Sequence, residues 1–379
     1  MNKIKIVHIL HSVGGVDVSL RLILENIDED KFQNVVIHGF NDNKNGFTDR
    51  NNDKIKEYKV SISRNISPFN DFLSIINTYK IVKRERPDLI HAHSAKGGVV
   101  GRIIGFLLGI KVLYTPQAFS YLSANSKIKR KLFLLIEKSL TFKNSYILAS
   151  SNSEKDRAIN EVKYKKENVL LFDNSINAIE KTEKLTIDKT WPDEYICTVG
   201  RPSYQKNIEL MIRVLNEVRK ENDIHLVIMG VGHHSDKLDD VKQLIDELKL
   251  NKAVTLIDWT ERENIFNIIN NSKFYISTAR YEGLPYSVIE SLALSKPCVV
   301  SDCDGNRDLI QNDYNGFVIQ DENIEEFNQR IQLLLNNNTL LQELSKNAKE
   351  SFDENYNIQR NIKNLEKIYS GFSKSTSVE

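Results

Sequence analysis

The sequence predicts an α/β protein built from two doubly wound, parallel-sheet domains in tandem, and three observations predict it. Short β-branched runs alternate with longer runs of helical period along almost the whole chain. No tight hairpin signal joins successive short runs, which argues for parallel strands covered on both faces. The alternation breaks once, at a polar stretch over 180–193 ending in Trp191-Pro192, and then restarts. At 379 residues the chain is long enough for two separate cores.

In the first half, 4–10, 34–38, 89–92, 112–115 and 146–149 read as buried strands. Between them, 18–27, 69–85, 98–109 and 128–140 read as helices. The segment 40–53, rich in Asn, Asp and Gly, reads as a surface loop. The second half gives strands at 195–199, 224–229, 254–257, 274–277 and 297–300, with helices at 208–220, 235–248, 263–270 and 286–294. A last helix, about 356–369, follows the second domain, and the tail after Gly371 reads as frayed. In such folds ligands bind outside the carboxyl ends of the strands, so two domains in tandem imply a cleft between two sheets.

Composition narrows the function. The chain is 40% hydrophobic and 27% charged, as ordinary globular proteins are. Cys197, Cys298 and Cys303 have no metal-ligand spacing, and their odd number fits reduced thiols in a cytoplasmic protein. The start of the chain has no signal-peptide pattern. The longest apolar run, 103–112, is interrupted by Gly105, Gly109 and Lys111 and falls short of a membrane span. The net charge of +1 hides an asymmetry of about +9 over residues 1–180 against about −8 over the rest. Lys127, Lys129, Arg130 and Lys131 stand beside a bulky apolar run, which reads either as a solvated face or as contact with an anionic membrane surface. Nucleic acid is the less favoured partner, because no aromatic residues interleave with the basic ones as a stacking platform would require.

The most informative stretch is Arg280-Tyr281-Glu282-Gly283-Leu284-Pro285-Tyr286-Ser287-Val288-Ile289-Glu290. Pro285 suits a helix's first turn, which places Glu282 on the loop before the helix and Glu290 about one turn inside it. Free N–H groups of Tyr286 to Val288 would point back toward Glu282 and make an anion site. The two acids would then accept hydrogen bonds from hydroxyls around the anion, as a nucleotide sugar requires. A second element follows the strand at 195–199. Gly200 lets the chain turn, and Arg201 and Lys206 project two cations suited to a diphosphate.

These elements resemble those of the retaining glycosyltransferases of family 4, which have the GT-B fold, in the branch making bacterial surface polysaccharides such as capsule and O-antigen. The resemblance rests on Glu282 and Glu290, on Gly200, Arg201 and Lys206, on Gly230-Val231-Gly232, on Gly14-Gly15-Val16-Asp17, and on His91-Ala92-His93 at a strand end. It implies an N-terminal acceptor domain at 1–180, a linker at 181–192, a donor domain at 193–355 and a C-terminal helix and tail at 356–379. It also implies that Arg201 and Lys206 bind the donor diphosphate. Glu282, with the Gly283 and Leu284 backbone, would hold the donor sugar, and Glu290 the ribose. Gly14 and Gly15 would lie near the phosphate and acceptor, His93 on the acceptor side, and Asp258 and Trp259 in a base pocket. Neither metal nor cofactor is implied. The partners implied are a nucleoside-diphosphate sugar, UDP-linked, and a saccharide or polyprenyl-diphosphate-linked acceptor, at the inner face of the cytoplasmic membrane.

Two departures stand out. Gln117, in Thr115-Pro116-Gln117-Ala118-Phe119, replaces a histidine that reaches the donor sugar in many relatives, and glutamine carries no proton at neutral pH. Retention by front-face substitution, in which the leaving phosphate accepts the proton, survives that change. Asn174-Ser175-Ile176-Asn177 departs from Asn-Gly-Ile-Asp. Asp302-Cys303-Asp304, which imitates a metal–nucleotide signature, reads as a turn. Neither His91/His93 nor His233/His234 is accompanied by a third metal ligand of suitable spacing. A nucleotide-sugar epimerase on the same fold and a catalytically silent sugar-nucleotide-binding protein are the alternative readings.

Overall fold

The computed structural model describes residues 3–40, 42, 45–62, 67–124, 126–232 and 235–372. His233, His234 and the tail beyond 372 lie outside them. The chain divides into two compact units, residues 1–177 with 358–379, and residues 178–357.

The described residues of unit 1 carry seven strands: β1 (Ile4–Ile9), β2 (Phe32–Gly39), β3 (Lys56–Val60), β4 (Leu89–His93), β5 (Lys111–Thr115), β6 (Ser145–Ala149) and β7 (Val169–Leu171). They form one parallel sheet in the order β3-β2-β1-β4-β5-β6-β7. Helices α1 (Gly15–Leu24), α2 (Pro68–Glu85), α3 (Ser94–Leu108), α4 (Lys127–Ser139) and α5 (Asn152–Arg157) connect them. Alternation along the central strands splits the residues between two layers. Val7, Ile9, Ile90 and Ala92 enter the apolar core, and His8, His91 and His93 take the alternate positions. Gly97, Gly98, Gly101 and Gly105 let α3 press its backbone onto that core, where a Cβ would strike Ile9, Tyr114, Ala92 and Val112. The fully buried Arg102 of α3 pairs with Glu137 of α4 at 2.8 Å over the Tyr114 ring, fixing the inward face of α4.

Unit 2 repeats the plan with β8 (Tyr195–Val199), β9 (His225–Met229), β10 (Val254–Ile257), β11 (Tyr275–Ser277), β12 (Cys298–Ser301) and β13 (Gly316–Ile319). This sheet is also parallel, in the order β10-β9-β8-β11-β12-β13. Its helices are α6 (Ile208–Val218), α7 (Leu238–Glu247), α8 (Arg262–Asn271), α9 (Tyr286–Ala293), α10 (Asn306–Leu309), α11 (Ile324–Asn336) and α12 (Asn338–Asn355). The core lies between the sheet and α6, α7 and α11, around Met211, Leu215, Ile228 and Phe327.

Three expectations need correction. The last helix, α13 (Ile358–Gly371), does not extend the second unit but belongs to unit 1. Its Tyr369 donates to or accepts from His91 Nδ1 at 2.7 Å and packs edge-on against Phe32. The polar stretch 180–193 is not a free linker, since Thr186 N–H donates to Asn264 Oδ1 at 2.9 Å and Trp191 is buried against Tyr195. Within 40–53, Phe47 is no surface residue. It is buried beside Leu20, Leu24 and Val36, with the Arg21 guanidinium 4.4 Å from its ring centroid.

Candidate active site

In each sheet the strand order reverses where the chain leaves the first strand of the unit, between β1 and β4 and between β8 and β11. At such switch points the connections depart in opposite directions and leave a crevice at the carboxyl ends. In unit 2 the flanking loops are 200–207 and 278–285, which hold Gly200, Arg201, Lys206, Glu282, Gly283 and Leu284, while Glu290 lies in the helix that follows.

The two loops are tied together by backbone and side chains. Arg280 N–H donates to Gln205 O at 2.8 Å, and Thr278 Oγ1 donates to Asn207 O at 2.9 Å. Asn207 holds a left-handed conformation, φ 50°, which its short amide side chain tolerates, and α6 begins at the next residue. Gly200 serves a purpose other than the expected turn. Its φ is ordinary, but the Lys206 stem crosses it so closely that a Cβ would lie 3.0 Å from Lys206 Cδ. Lys206 is thereby laid across the strand end, with its Nζ 2.8 Å from Glu282 Oε1. Burial opposes the Lys206 charge, yet Glu282 beside it holds the ammonium above its usual range. Gln205 Nε2 donates to the other Glu282 oxygen at 3.3 Å. Arg201, partly buried, stands on the same loop.

Pro285 caps α9, and Glu290 lies one turn inside, as its spacing predicts. The N–H groups at this helix start are not all free, however. Val288 N–H donates to Pro285 O at 3.2 Å, so the anion site expected from Tyr286 to Val288 is narrower than supposed. Glu290 is buried, and burial raises its carboxyl pKa, while Arg262 works in the opposite direction from 2.5 Å. Arg262 opens α8 and has no sequence signal linking it to Glu290, 28 positions on. The Gly283-Leu284-Pro285 turn is backed by Gly305, which sits at φ +78°, where a Cβ would lie 2.6 Å from Gly283 O. Asp302 and Asp304 are clamped by Arg307, each at 2.5 Å, which fits a turn.

The loops after β9 and β10 also meet. Gly230 and Val231 N–H donate to Ile257 O at 2.9 and 3.0 Å, and Gly232 lies against the exposed Trp259 indole. The segment from Trp259 to Arg262 therefore runs from an exposed aromatic face to the Arg262–Glu290 pair.

In unit 1, Gly14 (φ 62°) and Gly15 are exposed at the start of α1, with Asp17 held by Ser12 and Arg21. Gln117 and Ala118 both have positive φ, 52° and 73°. Such backbone costs about 1–3 kcal/mol per residue and persists only where neighbours enforce it. Here Glu154, itself buried, accepts from Ala118 N–H at 2.8 Å and from Ser150 N–H at 2.7 Å. Among the described residues the buried Gln117 Nε2 atom has no hydrogen-bond partner. Ser175, at the departure from Asn-Gly-Ile-Asp, accepts from Asn361 of α13 at 2.8 Å.

His93 is fully buried and presents no surface to an acceptor. Sequence spacing offers His91 and His93 no third metal ligand, but the fold brings one in from a distant strand, because His8 pairs in register with His91. One nitrogen from each of the three rings lies within 4.8 Å of the others. His8 Nδ1 meets His93 Nε2 at 3.1 Å, His8 Nε2 meets Asn34 Oδ1 at 3.1 Å, and His91 Nε2 meets Thr115 Oγ1 at 2.9 Å. Burial pushes all three imidazoles down, His8 to about 4, so they form a neutral hydrogen-bonded layer. The three cysteines are free and buried, and burial pushes the Cys197 thiol up to about 12.

Two tandem Rossmann-like units, each with a switch point, and a cation–carboxylate pair at the second of them define a GT-B glycosyltransferase. Residues 13–178 match the family described as Glycosyltransferase Family 4, and residues 180–351 match Glycosyl transferases group 1. The chain belongs to glycosyltransferase family 4. A galactosyltransferase of Escherichia coli, the UDP-Gal:alpha-D-GlcNAc-diphosphoundecaprenol alpha-1,3-galactosyltransferase, is 27% identical over 336 residues, 85% of each chain. Sucrose-phosphate synthase of Thermosynechococcus elongatus superposes with a TM-score of 0.82 at 15% identity, over 97% of this chain and 99% of that one. Anabaena HepE, solved with UDP-glucose, gives 0.79 at 16% identity, over 97% and 99%.

Proposed function

We propose that this glycosyltransferase moves a hexose from a UDP-linked donor, with retention at the anomeric carbon, to a saccharide carried on a polyprenyl diphosphate, in the assembly of a bacterial surface polysaccharide. The observation that carries the reading is the Lys206–Glu282 pair at the β8/β11 switch point. An arriving diphosphate competes with Glu282 for Lys206. As the ammonium turns to the phosphate oxygens, Glu282 is released to accept from sugar hydroxyls. Arg201 adds a second charged donor, and the two together stabilise the negative charge that develops on the leaving diphosphate. Glu290, oriented by Arg262, takes the ribose hydroxyls, and the exposed Trp259 face offers stacking to the base. No side chain with a tunable proton is needed, since the leaving phosphate accepts the acceptor's proton. The lipid-linked acceptor of the E. coli relative supports the acceptor class, and the UDP-glucose bound to HepE supports the donor class. A lipid-linked acceptor in turn places the work at the inner face of the membrane.

The test is incubation of the purified protein with UDP-sugars and a polyprenyl-diphosphate-linked saccharide in the presence of EDTA, with anomeric analysis of the product. Transfer with retention that R201A/K206A reduces to background supports the proposal. Inversion, dependence on a divalent cation, or conversion of the nucleotide sugar without acceptor would overturn it.

A further inference from the structure

We infer that the outer face of α4 is an interfacial membrane anchor for anionic lipid. The inference gives the membrane placement proposed above a specific surface, and it does not depend on the donor chemistry.

Helix α4 has two apolar faces and needs only one of them to fold. Its inner face presents Phe133 and Leu134 to the core of unit 1 and Glu137 to the buried Arg102. Its outer face carries Ile128, Leu132, Leu135 and Ile136, with 81, 51, 63 and 38% of their surface exposed. At about 100° per residue these four fall in one stripe roughly 100° wide. Lys127, Lys131 and Lys138 line one edge of that stripe and Lys129 the other, with Lys127, Lys129 and Lys131 exposed. An apolar stripe bordered on both sides by lysines is the pattern of a helix lying in a lipid interface, with its side chains in the acyl boundary and its ammonium groups among phosphates.

The patch continues past the helix. Phe142, three residues beyond α4, stacks on Phe106 at 4.5 Å, and Phe106 and Leu107 are each more than half exposed at the end of α3. Lys111 and Lys143 are exposed close by in sequence. Charge decides the occupant. The surplus of about +9 over residues 1–180 is concentrated between 91 and 150, around this patch. A second copy of the chain would bring equal positive charge against it, whereas a bilayer containing phosphatidylglycerol brings the opposite sign.

The test is co-sedimentation of the full chain with vesicles of phosphatidylcholine alone and of phosphatidylcholine mixed with phosphatidylglycerol. Binding should require phosphatidylglycerol and weaken with salt. It should fall on the order of fivefold for each lysine removed in K127Q/K129Q/K131Q. I128S/L132S/L135S should also release the protein, while F69S/F72S, which removes exposed aromatics from α2, should not. Circular dichroism establishes that each variant folds, and should the apolar variant fail to fold, the lysine variant decides. Turnover of a water-soluble acceptor should be unchanged in both, so loss of vesicle binding and loss of donor chemistry are read separately. Absence of wild-type binding, or equal binding by the variants, would overturn the inference. So would a wild-type dimer that I128S/L132S/L135S turns into a monomer without any vesicle binding, because the face would then belong to a second copy.

Discussion

Replacing Lys206 with methionine keeps the stem that crosses Gly200 and removes only the charge, leaving Glu282 with Gln205 Nε2 at 3.3 Å and no ammonium beside it. Breaking a fully buried ion pair costs about 3–5 kcal/mol. Here the side chains retain 22% and 10% exposure, so water screens part of that loss, and about 1–2 kcal/mol is expected. For a unit of this size that lowers Tm by roughly 3–6 °C. Turnover should suffer more. A charged hydrogen bond to the leaving diphosphate contributes about 1.5–3 kcal/mol, which corresponds to roughly a 10- to 150-fold drop in kcat/KM. The second variant, K206M/E282Q, separates the two effects, since neutralising the stranded carboxylate should restore most of the stability and none of the turnover. The assays are thermal denaturation and release of UDP from whichever UDP-sugar the wild type consumes. K206M with unchanged Tm and undiminished UDP release would refute both the pair's structural role and its place in the donor site.

Two further outcomes are expected. Glu85, at the end of α2, accepts from Lys56, Tyr58 and Lys5, which outweigh its burial and hold its carboxyl at about 2 instead of 4.5. A carboxyl depressed in the folded state stabilises above its unfolded pKa, so E85Q should cost about 1–3 kcal/mol at neutral pH, and the gap to wild type should close as pH falls from about 4.5 to about 2 in denaturant titrations. Gly305→Ala drives a methyl group against Gly283 O at a positive φ; it should cost about 1–3 kcal/mol and raise KM for the UDP-sugar, because the Gly283–Pro285 turn must move.

The sequence makes legible what is encoded locally. Glu282, Pro285 and Glu290 lie on one loop and one helix turn, so their spacing alone places them, and the run from Gly200 to Lys206 is equally self-contained. What could not be read arises from contacts between distant segments. Arg262 meets Glu290 only because α8 packs beside α9. His8 meets His91 only because β1 and β4 pair in register, and register between parallel strands depends on the crossover helices between them. Strand β3 is mostly polar over Lys56–Val60, and β7 and β13 carry too little alternation to stand out. Phe47 was hidden because the polar residues around it dominate the local pattern, although one apolar side chain is enough to pin that loop. The Gly14, Gly15 and Gln117 loops are recognisable in sequence, but the strain at Gln117 and Ala118 and the brace from Glu154 are not.

Because α13 returns to unit 1 from the far end of the chain, that unit cannot be finished as it is made. Its last strand, β7, leaves the ribosome well before α13. At about 5–20 residues per second, Phe32 and His91 wait on the order of fifteen to seventy seconds for Tyr369, while all of unit 2 is synthesised in between. Unit 1 thus lacks the Tyr369 contacts to His91 and Phe32 until unit 2 has been made, and α13 then supplies them.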